Sequence, residues 1–251
     1  MRTKVLTTIL MLGFFAISSS TKGQTQKGAD IDGEAAGDRS GFSVSMPDAN
    51  TIAIGARQND GNMGLGADAG HVRIFEWNGT SWLQKGADID GEATGDQSGY
   101  SVSMPDANTL AIGTPYNDGN GADAGHVRVF EWNGTSWIQK GADIDGDSSG
   151  DRLGQSVSMP DANTVVVGAT QPAALFDGGY VRIYKWNGTA WVQKGTDILS
   201  EAPDDRFGAS VSMPDTNTVA IGASNKDGNG LNAAGHVRIY EWNGSDWGQK
   251  G

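Results

Sequence analysis

A repeat of about 55 residues organises the whole chain. The tripeptide Gln-Lys-Gly recurs at intervals of 58, 55, 54 and 56 residues, at Gln26, Gln84, Gln139, Gln193 and Gln249. Each unit also carries Ser-Val-Ser-Met-Pro, an apolar run that ends in glycine, a Val-Arg segment and two tryptophans. Repeats of roughly 20 to 50 residues are typical of solenoids and propellers, whose units bury one another's apolar faces. We therefore expect a repeat fold of four units.

The residues of each unit predict four short β-strands. In the first unit the strands cover 42–46, 51–55, 71–77 and 81–85, and the last continues toward Ile89. β-Branched and aromatic residues fill these runs, turn-forming residues separate them, and no segment shows sustained helical periodicity. Asn78-Gly79 predicts a type I′ hairpin turn between the last two strands. We therefore predict an all-β, β-propeller-type repeat of four four-stranded blades, approximately 37–91, 95–146, 150–200 and 205–251.

Short motifs in these units resemble FG-GAP repeats, the blades of the integrin α-subunit N-terminal propeller and of similar secreted bacterial proteins. Phe207-Gly208 matches the first half of the motif, and Gly222-Ala223-Ser224 or Gly113-Thr114-Pro115 matches the second. The resemblance covers residues 24–251 and implies extracellular recognition of a protein or glycan. The calcium loop of the integrin blades is not carried over, because this chain has only Pro47-Asp48-Ala49-Asn50 in its place. The other units have Ser40-Gly41, Ser98-Gly99 and Leu153-Gly154 at the Phe-Gly position.

The last unit ends differently from the others. It stops at Gln249-Lys250-Gly251, where the earlier units continue toward Asp-Ile. This ending predicts that the four units are the first part of a larger propeller ring. A self-contained four-bladed ring, in which residues 24–31 pair with the last blade, is the alternative.

The N-terminus predicts export. Residues 1–23 contain a basic start, an apolar stretch from Val5 to Ile17 and small residues after it, which is typical of a signal peptide. The stretch is too short to span a bilayer, so we expect a secreted or cell-surface protein without a membrane span. Its removal leaves 15 basic and 30 acidic side chains, a balance that argues against nucleic-acid binding. Since the chain has no cysteine, a packed core or bound ions must stabilise it.

Every large change in spacing between units falls in one loop. The interval between the second and third strands measures 16, 13, 12 or 14 residues. Insertions confined to one loop of a repeat collect on one face, often the binding face. We therefore expect a noncatalytic binding or adhesion module for an extracellular protein or glycan, and a structural spacer of a larger surface protein is an alternative. The candidate contact residues are Asn59, Asp60, Asn62, Asn117, Asp118, Asn120, Asp227 and Asn229.

Acidic residues alternate around a glycine where one unit passes into the next. In the first copy they are Asp30, Asp32, Glu34 and Asp38, at relative positions 1, 3, 5 and 9. Ca²⁺ takes about six to eight oxygen ligands in a flexible cage, so this spacing suggests calcium as the cofactor. A solvated acidic turn is the alternative. The further copies are Asp88, Asp90, Glu92 and Asp96, followed by Asp143, Asp145, Asp147 and Asp151.

The repeated polar residues do not indicate an enzyme. His71, His126 and His236 share one repeat position, which Tyr180 fills in the third unit, and a residue present in nearly every copy is expected to pack rather than catalyse. The chain has no Gly-x-Ser-x-Gly elbow and no His-Glu-x-x-His zinc motif. A propeller-type glycoside hydrolase remains an alternative, because carboxylate pairs are abundant. The tryptophan pairs flank a hairpin turn, so cross-strand packing is expected over sugar binding.

Overall fold

A computed structural model describes residues 25–60, 67–170, 178–227 and 231–251. The predicted signal peptide, residues 1–23, lies outside these ranges. No helix in the described part of the chain is long and apolar enough to cross a membrane. All regular structure in the described residues is β-strand, which confirms the all-β prediction.

The strands form four antiparallel sheets in chain order. The first contains β1 Ser40–Asp48, β2 Thr51–Ala56, β3 His71–Trp77, β4 Trp82–Gln84 and β5 Ile89–Asp90. The second contains β6 Ser101–Asp106, β7 Thr109–Thr114, β8 His126–Trp132, β9 Trp137–Gln139 and β10 Ile144–Asp145. The third contains β11 Leu153–Asp161, β12 Thr164–Ala169, β13 Tyr180–Trp186, β14 Trp191–Gln193 and β15 Ile198–Leu199. The fourth contains β16 Phe207–Asp215, β17 Thr218–Ala223, β18 His236–Trp242 and β19 Trp247–Gln249.

The outer strand of a blade is split into two pieces. In the first sheet, β4 pairs with the end of β3 and β5 pairs with its beginning. Gly86 lies between the two pieces with φ +84°, and a Cβ there would come within 2.7 Å of the Trp132 ring in the next sheet. The interruption therefore makes room for the neighbouring blade. Because β5 follows the second Gln-Lys-Gly tripeptide, a sheet borrows its last strand from the next sequence repeat.

The hairpin between β3 and β4 differs from the predicted type I′ turn. Trp77 pairs with Trp82, which leaves a loop of four residues, and of Asn78 and Gly79 only the glycine has positive φ. The Asn78 carboxamide oxygen accepts the backbone N–H groups of Thr80 and Ser81, both at 2.9 Å. The side chain thus closes the loop without the left-handed conformation that a type I′ turn requires at both central residues. The two indoles meet at 5.4 Å in an edge-on geometry, which is the expected cross-strand packing.

The first strands of the sheets, β1, β6, β11 and β16, lie side by side, and we call them the inner strands. The two serines of Ser-Val-Ser-Met-Pro join consecutive inner strands. Ser101 donates its hydroxyl to the Gly154 carbonyl at 2.8 Å, and the Ser103 hydroxyl accepts the Met159 N–H at 2.9 Å. The approach is close enough that a Cβ on Gly113 would collide with the Gly154 carbonyl. The repeated serines and glycines are therefore residues of the joint between blades.

The lysine of each of the first four Gln-Lys-Gly tripeptides binds the turn between the first two strands of the sheet that follows it. Lys85, from the first sheet, donates its ammonium to the Ala107 carbonyl at 2.7 Å and to Asn108 Oδ1 at 2.9 Å in the second sheet. The same ammonium lies 5.4 Å from the ring centre of Trp132, within cation–π range. The pattern repeats at Lys27, Lys140 and Lys194. This contact explains why Gln-Lys-Gly marks every unit.

The core lies between consecutive sheets. Val72 and Ile74 of β3 pack against Met104, Leu110 and Ile112 of the second sheet. Two further clusters repeat this arrangement between the second and third sheets and between the third and fourth. The apolar contacts thus stabilise the joints.

The four blades form an open arc in the described residues. The first and last inner strands do not pack against each other as consecutive ones do. Val44 on the first blade is 59% exposed and Val237 on the last is 69% exposed, whereas Val127, the counterpart of Val237 in the second blade, is fully buried. Residues 25–31 form no strand, so the alternative closure by pairing with the last blade is not observed.

Candidate functional site

The variable loops and the segments between blades lie at one end of the sheets. Ser40 pairs with Ala56 and Ala56 with His71, so the start of the inner strand, the end of the second strand and the start of the third meet there. We call this end the loop face. It carries both groups of site residues that the sequence singled out.

The asparagines that begin two of the variable loops anchor those loops. Asn59 donates to Asp38 Oδ2 at 3.0 Å, and Asn117 donates to Asp96 Oδ2 at 2.9 Å. All four side chains are buried. Burial raises the pKa of Asp96, although the hydrogen bonds from Asn117 and the Ala93 N–H oppose the shift. These asparagines therefore hold the loop to the blade.

Most of the other predicted contact residues close their own loops. The carboxylates of Asp60, Asp118 and Asp227 accept the backbone N–H groups of Asp68, Asp123 and Ala233, at 3.1, 2.9 and 2.7 Å. Asn120 donates to the Gly146 carbonyl at 3.0 Å. Asn62 and Asn229 lie outside the described residues. The predicted contact residues that the structure describes therefore hold the variable loops in their conformation.

A row of aromatic and arginine side chains crosses the loop face, and we call it the aromatic–arginine row. Its members are Arg57, Phe42, Tyr100, Tyr116 and Arg152. The Arg57 guanidinium lies 4.3 Å from the Phe42 ring centre, and the ring centres of Phe42 and Tyr100 are 5.0 Å apart. Tyr100 and Tyr116 follow at 6.0 Å, and Arg152 lies 5.1 Å from the Tyr116 ring. The row therefore extends across the first three blades.

A cavity of about 640 Å³ opens beside this row. Its lining includes Tyr100, Tyr116 and Arg152 of the row, together with Asp204 and Arg206, which lie just before the last inner strand in the chain. Arg152 and Arg206 have φ values of 55° and 52°, in the left-handed region that non-glycine residues rarely adopt. Such backbone strain is common at binding sites. The same repeat position has positive φ in the first two blades, at Arg39 and Gln97.

Sequence reasoning missed the aromatic–arginine row, because most of its members do not repeat and only Arg152 has an arginine counterpart in other units, at Arg39 and Arg206. Tyr116 and Arg57 lie at the edges of the variable loops, and the first blade has Phe42 where the second has Tyr100. The available signal was the change of residue type at fixed positions beside loops already expected to bind.

The acids that were predicted to hold calcium are divided among different structural partners. Those at relative position 9 cap the linker backbone; Asp38 Oδ2, for example, accepts the Ala35 N–H at 2.8 Å. Those at position 1 accept from the glutamine of Gln-Lys-Gly, as Asp88 does from Gln84 at 2.6 Å. At position 3 the backbone carbonyl of Asp90 accepts from Arg128 at 2.7 Å. The same roles recur for Asp30, Asp32, Asp96, Asp143 and Asp151.

The remaining acids lie beside arginines or at a partly buried strand. Glu34, Glu92 and Asp147, at relative position 5, pair with Arg73, Arg128 and Arg182 of the blade that follows each linker. Burial raises the pKa of Glu92 despite its arginine, and burial also raises the pKa of Asp145 in β10. The acids of one linker do not gather around a single point in the described residues.

Acids of successive linkers instead meet at a histidine. His71 Nδ1 lies 3.9 Å from Glu34 Oε2 and 3.9 Å from Asp88 Oδ2. His126 Nδ1 lies 3.9 Å from Glu92 Oε2 and 3.8 Å from Asp143 Oδ2. Both imidazoles are buried. Burial lowers the pKa of His71, although Asp88 and Glu34 oppose the shift, and it lowers the pKa of His126 to about 4.

The third blade has a different arrangement at the same place. Tyr180 replaces the histidine and donates its hydroxyl to Asp151 at 2.9 Å. Arg182 forms ion pairs with both Asp147 and Asp197, the counterparts of the two acids around His126. Burial raises the pKa of Asp197, but the hydrogen bonds from Arg182 and Gln193 outweigh burial, and the net shift is downward. The acids of this blade are thus paired with a cation of the protein.

Comparison with known proteins identifies the repeat. The family model described as "FG-GAP repeat" matches residues 88–130 and 201–240. No curated protein sequence matches the chain significantly. Among solved structures, Sqt1 from Chaetomium thermophilum is similar with a TM-score of 0.51 and 17% identity, over 82% of this chain and 45% of that one. TolB from Acinetobacter baumannii is similar with a TM-score of 0.47 and 13% identity, over 82% of this chain and 42% of that one.

The likeness to Sqt1 concerns the fold, and this chain spans less than half the length of either solved protein. The first family match covers β5 of the first sheet together with β6, β7 and most of β8 of the second, and the other match lies in the fourth sheet. Both matches fall on the landmarks from which the four-unit repeat was inferred. Two segments of the chain, residues 88–130 and 201–240, therefore match the FG-GAP repeat, and the four sheets are folded as the blades of a β-propeller-type protein.

Proposed function

We propose that the chain is a secreted, noncatalytic module that binds an extracellular protein through its loop face. The aromatic–arginine row beside the cavity is the observation that carries this proposal. Tyrosine and arginine are enriched among the residues that dominate binding energy in protein interfaces. The row presents both residue types on a fixed scaffold, next to a cavity in which a partner side chain could be desolvated.

Charge favours a partner segment that carries carboxylates. The chain as a whole is acidic, with a formal net charge of −12, yet Arg57, Arg152 and Arg206 gather on the loop face. A guanidinium binds a carboxylate through two parallel hydrogen bonds, which adds direction as well as strength. We therefore propose an acidic protein segment as the ligand, and a glycan that stacks on Tyr100 and Tyr116 as the second candidate.

A binding screen tests the proposal. The mature chain is presented to arrays of extracellular proteins and of glycans, and any ligand is measured again with Tyr116→Ala and Arg152→Ala. We expect each substitution to weaken binding about tenfold or more, as is usual for residues that dominate an interface. Leu83→Ala is the matched control, because Leu83 is an exposed apolar side chain on outer strand β4, away from the loop face.

Three results separate the alternatives. Binding that responds to Leu83→Ala and not to the loop-face variants would refute the proposed surface. Folded protein without a ligand in either array would favour a structural spacer. Turnover of a polysaccharide, lost on substitution of one acid, would favour a hydrolase. N-terminal sequencing of the exported protein tests secretion, since cleavage near residue 23 is expected.

A further inference from the structure

We propose that His71, Glu34 and Asp88 form a binding site for a divalent transition-metal ion of the Zn²⁺ class, and that His126, Glu92 and Asp143 form a second. The two sites lie on the loop face, where β3 and β8 begin at His71 and His126. The proposal does not depend on the binding function proposed above.

The separation of the donor atoms fits such an ion. One imidazole nitrogen and two carboxylate oxygens lie within 4.8 Å of one another in each cluster. A tetrahedral ion with bonds of about 2.1 Å keeps its donors roughly 3.4 Å apart. The nitrogen-to-oxygen distances of 3.8 to 3.9 Å exceed that value slightly, so a small inward rotation of the carboxylates would complete three bonds. A water molecule would supply the fourth bond.

The imidazole of His71 supplies the independent sign of a ligand. Its side chain is 1% exposed, and Nδ1 has no hydrogen-bond partner although it faces two carboxylates. Buried polar atoms are normally satisfied, so an unsatisfied nitrogen that faces two acids indicates a missing partner that accepts electron pairs. His126 Nδ1 lies 3.9 and 3.8 Å from its two acids, but the buried nitrogen without a partner is Nε2, so the second site is inferred from its donor distances and from its equivalence to the first.

The donor set selects the class of ion. Ca²⁺ and Mg²⁺ prefer cages of oxygen ligands, whereas imidazole together with carboxylates suits Zn²⁺ and its neighbours in the first transition row. A histidine in the position of a ligand therefore favours Zn²⁺ over the calcium suggested by the acid spacing alone.

The third blade shows how the chain behaves without a histidine. There Arg182 contacts both acids and supplies the positive charge between them. In the first blade, by contrast, Arg73 lies 3.6 Å from Glu34 Oε1, whereas the His71 imidazole faces the other oxygen, Oε2. The first blade therefore brings an imidazole, which can bind a metal ion, to within 3.9 Å of both acids.

Metal titration tests the proposal. Mature protein without an affinity tag is stripped with a chelator, and Zn²⁺ binding is measured by calorimetry and Co²⁺ binding by visible absorption. We expect two ions per chain, one in His71→Gln and none in the double variant His71→Gln/His126→Gln. His236→Gln is the matched control and should keep both sites, since His236 belongs to no ligand cluster in the described residues.

The histidine variants could fail for structural reasons, so Asp88→Asn supplies a second route. This change keeps an oxygen for the bond from Gln84 but removes one charged ligand, and we expect it to lose one ion as well. Two ions bound by every folded variant would overturn the proposal, as would the absence of Zn²⁺ binding to the folded wild-type chain. Displacement of the bound Zn²⁺ by millimolar Ca²⁺ would also overturn the proposal and would identify the clusters as calcium sites.

Discussion

Trp137 donates its indole N–H to the backbone carbonyl of Lys85 at 2.8 Å, while the Lys85 ammonium reaches past the same indole to the turn at Asn108. One lysine is thus held at both ends by the blade that follows it. The arrangement recurs at the start of every unit, whereas Lys250, at the end of the last unit, pairs with Glu241 on its own sheet.

Replacing Lys85 therefore should weaken a joint. Lys85→Met keeps most of the apolar stem but removes two hydrogen bonds of a charged donor and a cation–π contact. We expect a loss of about 2 kcal/mol in the free energy of unfolding, measured by urea denaturation. Lys250→Met should cost less than about 0.5 kcal/mol, because its ion pair is exposed. Equal losses of stability in the two variants would contradict the proposed role of Lys85 in joining the first and second blades.

Burial at the joints predicts a contrast between two equivalent isoleucines. Ile74 is fully buried between the first and second sheets, whereas Ile239, at the same repeat position, is 43% exposed on the last. We expect Ile74→Ala to cost about 3 kcal/mol and Ile239→Ala less than about 1 kcal/mol. Thermal and urea unfolding of the two variants measures the difference. Similar costs would mean that the last face is covered in solution.

The glycine at the end of each second strand should tolerate a methyl group only where no blade follows. Gly113→Ala directs its Cβ at the Gly154 carbonyl of the next inner strand, whereas Gly222→Ala meets only the hydroxyl of Ser210 in its own sheet. We expect the first change to cost about 2 to 3 kcal/mol and the second to cost less. The comparison fails if Gly222→Ala proves the more damaging.

The buried acids of the linkers should control the stability of the variable loops. Asp96→Ala removes the acceptor for the Asn117 side chain and for the Ala93 N–H. We expect a loss of about 2 kcal/mol and faster hydrogen exchange in residues 115–125, because two donors lose their buried acceptor. Asp118→Ala is the control for the free energy of unfolding, which it should lower less than Asp96→Ala does, since Asp118 is exposed and accepts only within its loop. Unchanged exchange in Asp96→Ala would refute the anchoring role.

The sequence predicted the four units and most strand positions, because those features repeat. Asn78-Gly79, for example, predicted the hairpin between β3 and β4, although the type I′ turn expected there was wrong. The sequence did not predict contacts that cross from one unit to the next. The partners of Lys85 lie 22 to 52 residues away, and no periodicity within a unit pairs them. The site residues were harder still, since His71 meets one acid from the linker before its blade and another from the linker after it.

The split outer strand makes the sequence repeat and the blade different objects. β5 belongs to the first sheet but follows Gln84 in the chain, after the next sequence repeat has begun. The sequence repeat therefore ends before the first blade is complete, and the next repeat supplies its last strand. A cut at Gln-Lys-Gly separates β5 from the rest of its sheet, whereas a cut in the loop before an inner strand leaves β1 to β5 together, because these five strands are contiguous in the chain. A gain or loss of chain segments would therefore keep every outer strand of this fold complete only if the two cut points lay one full repeat apart.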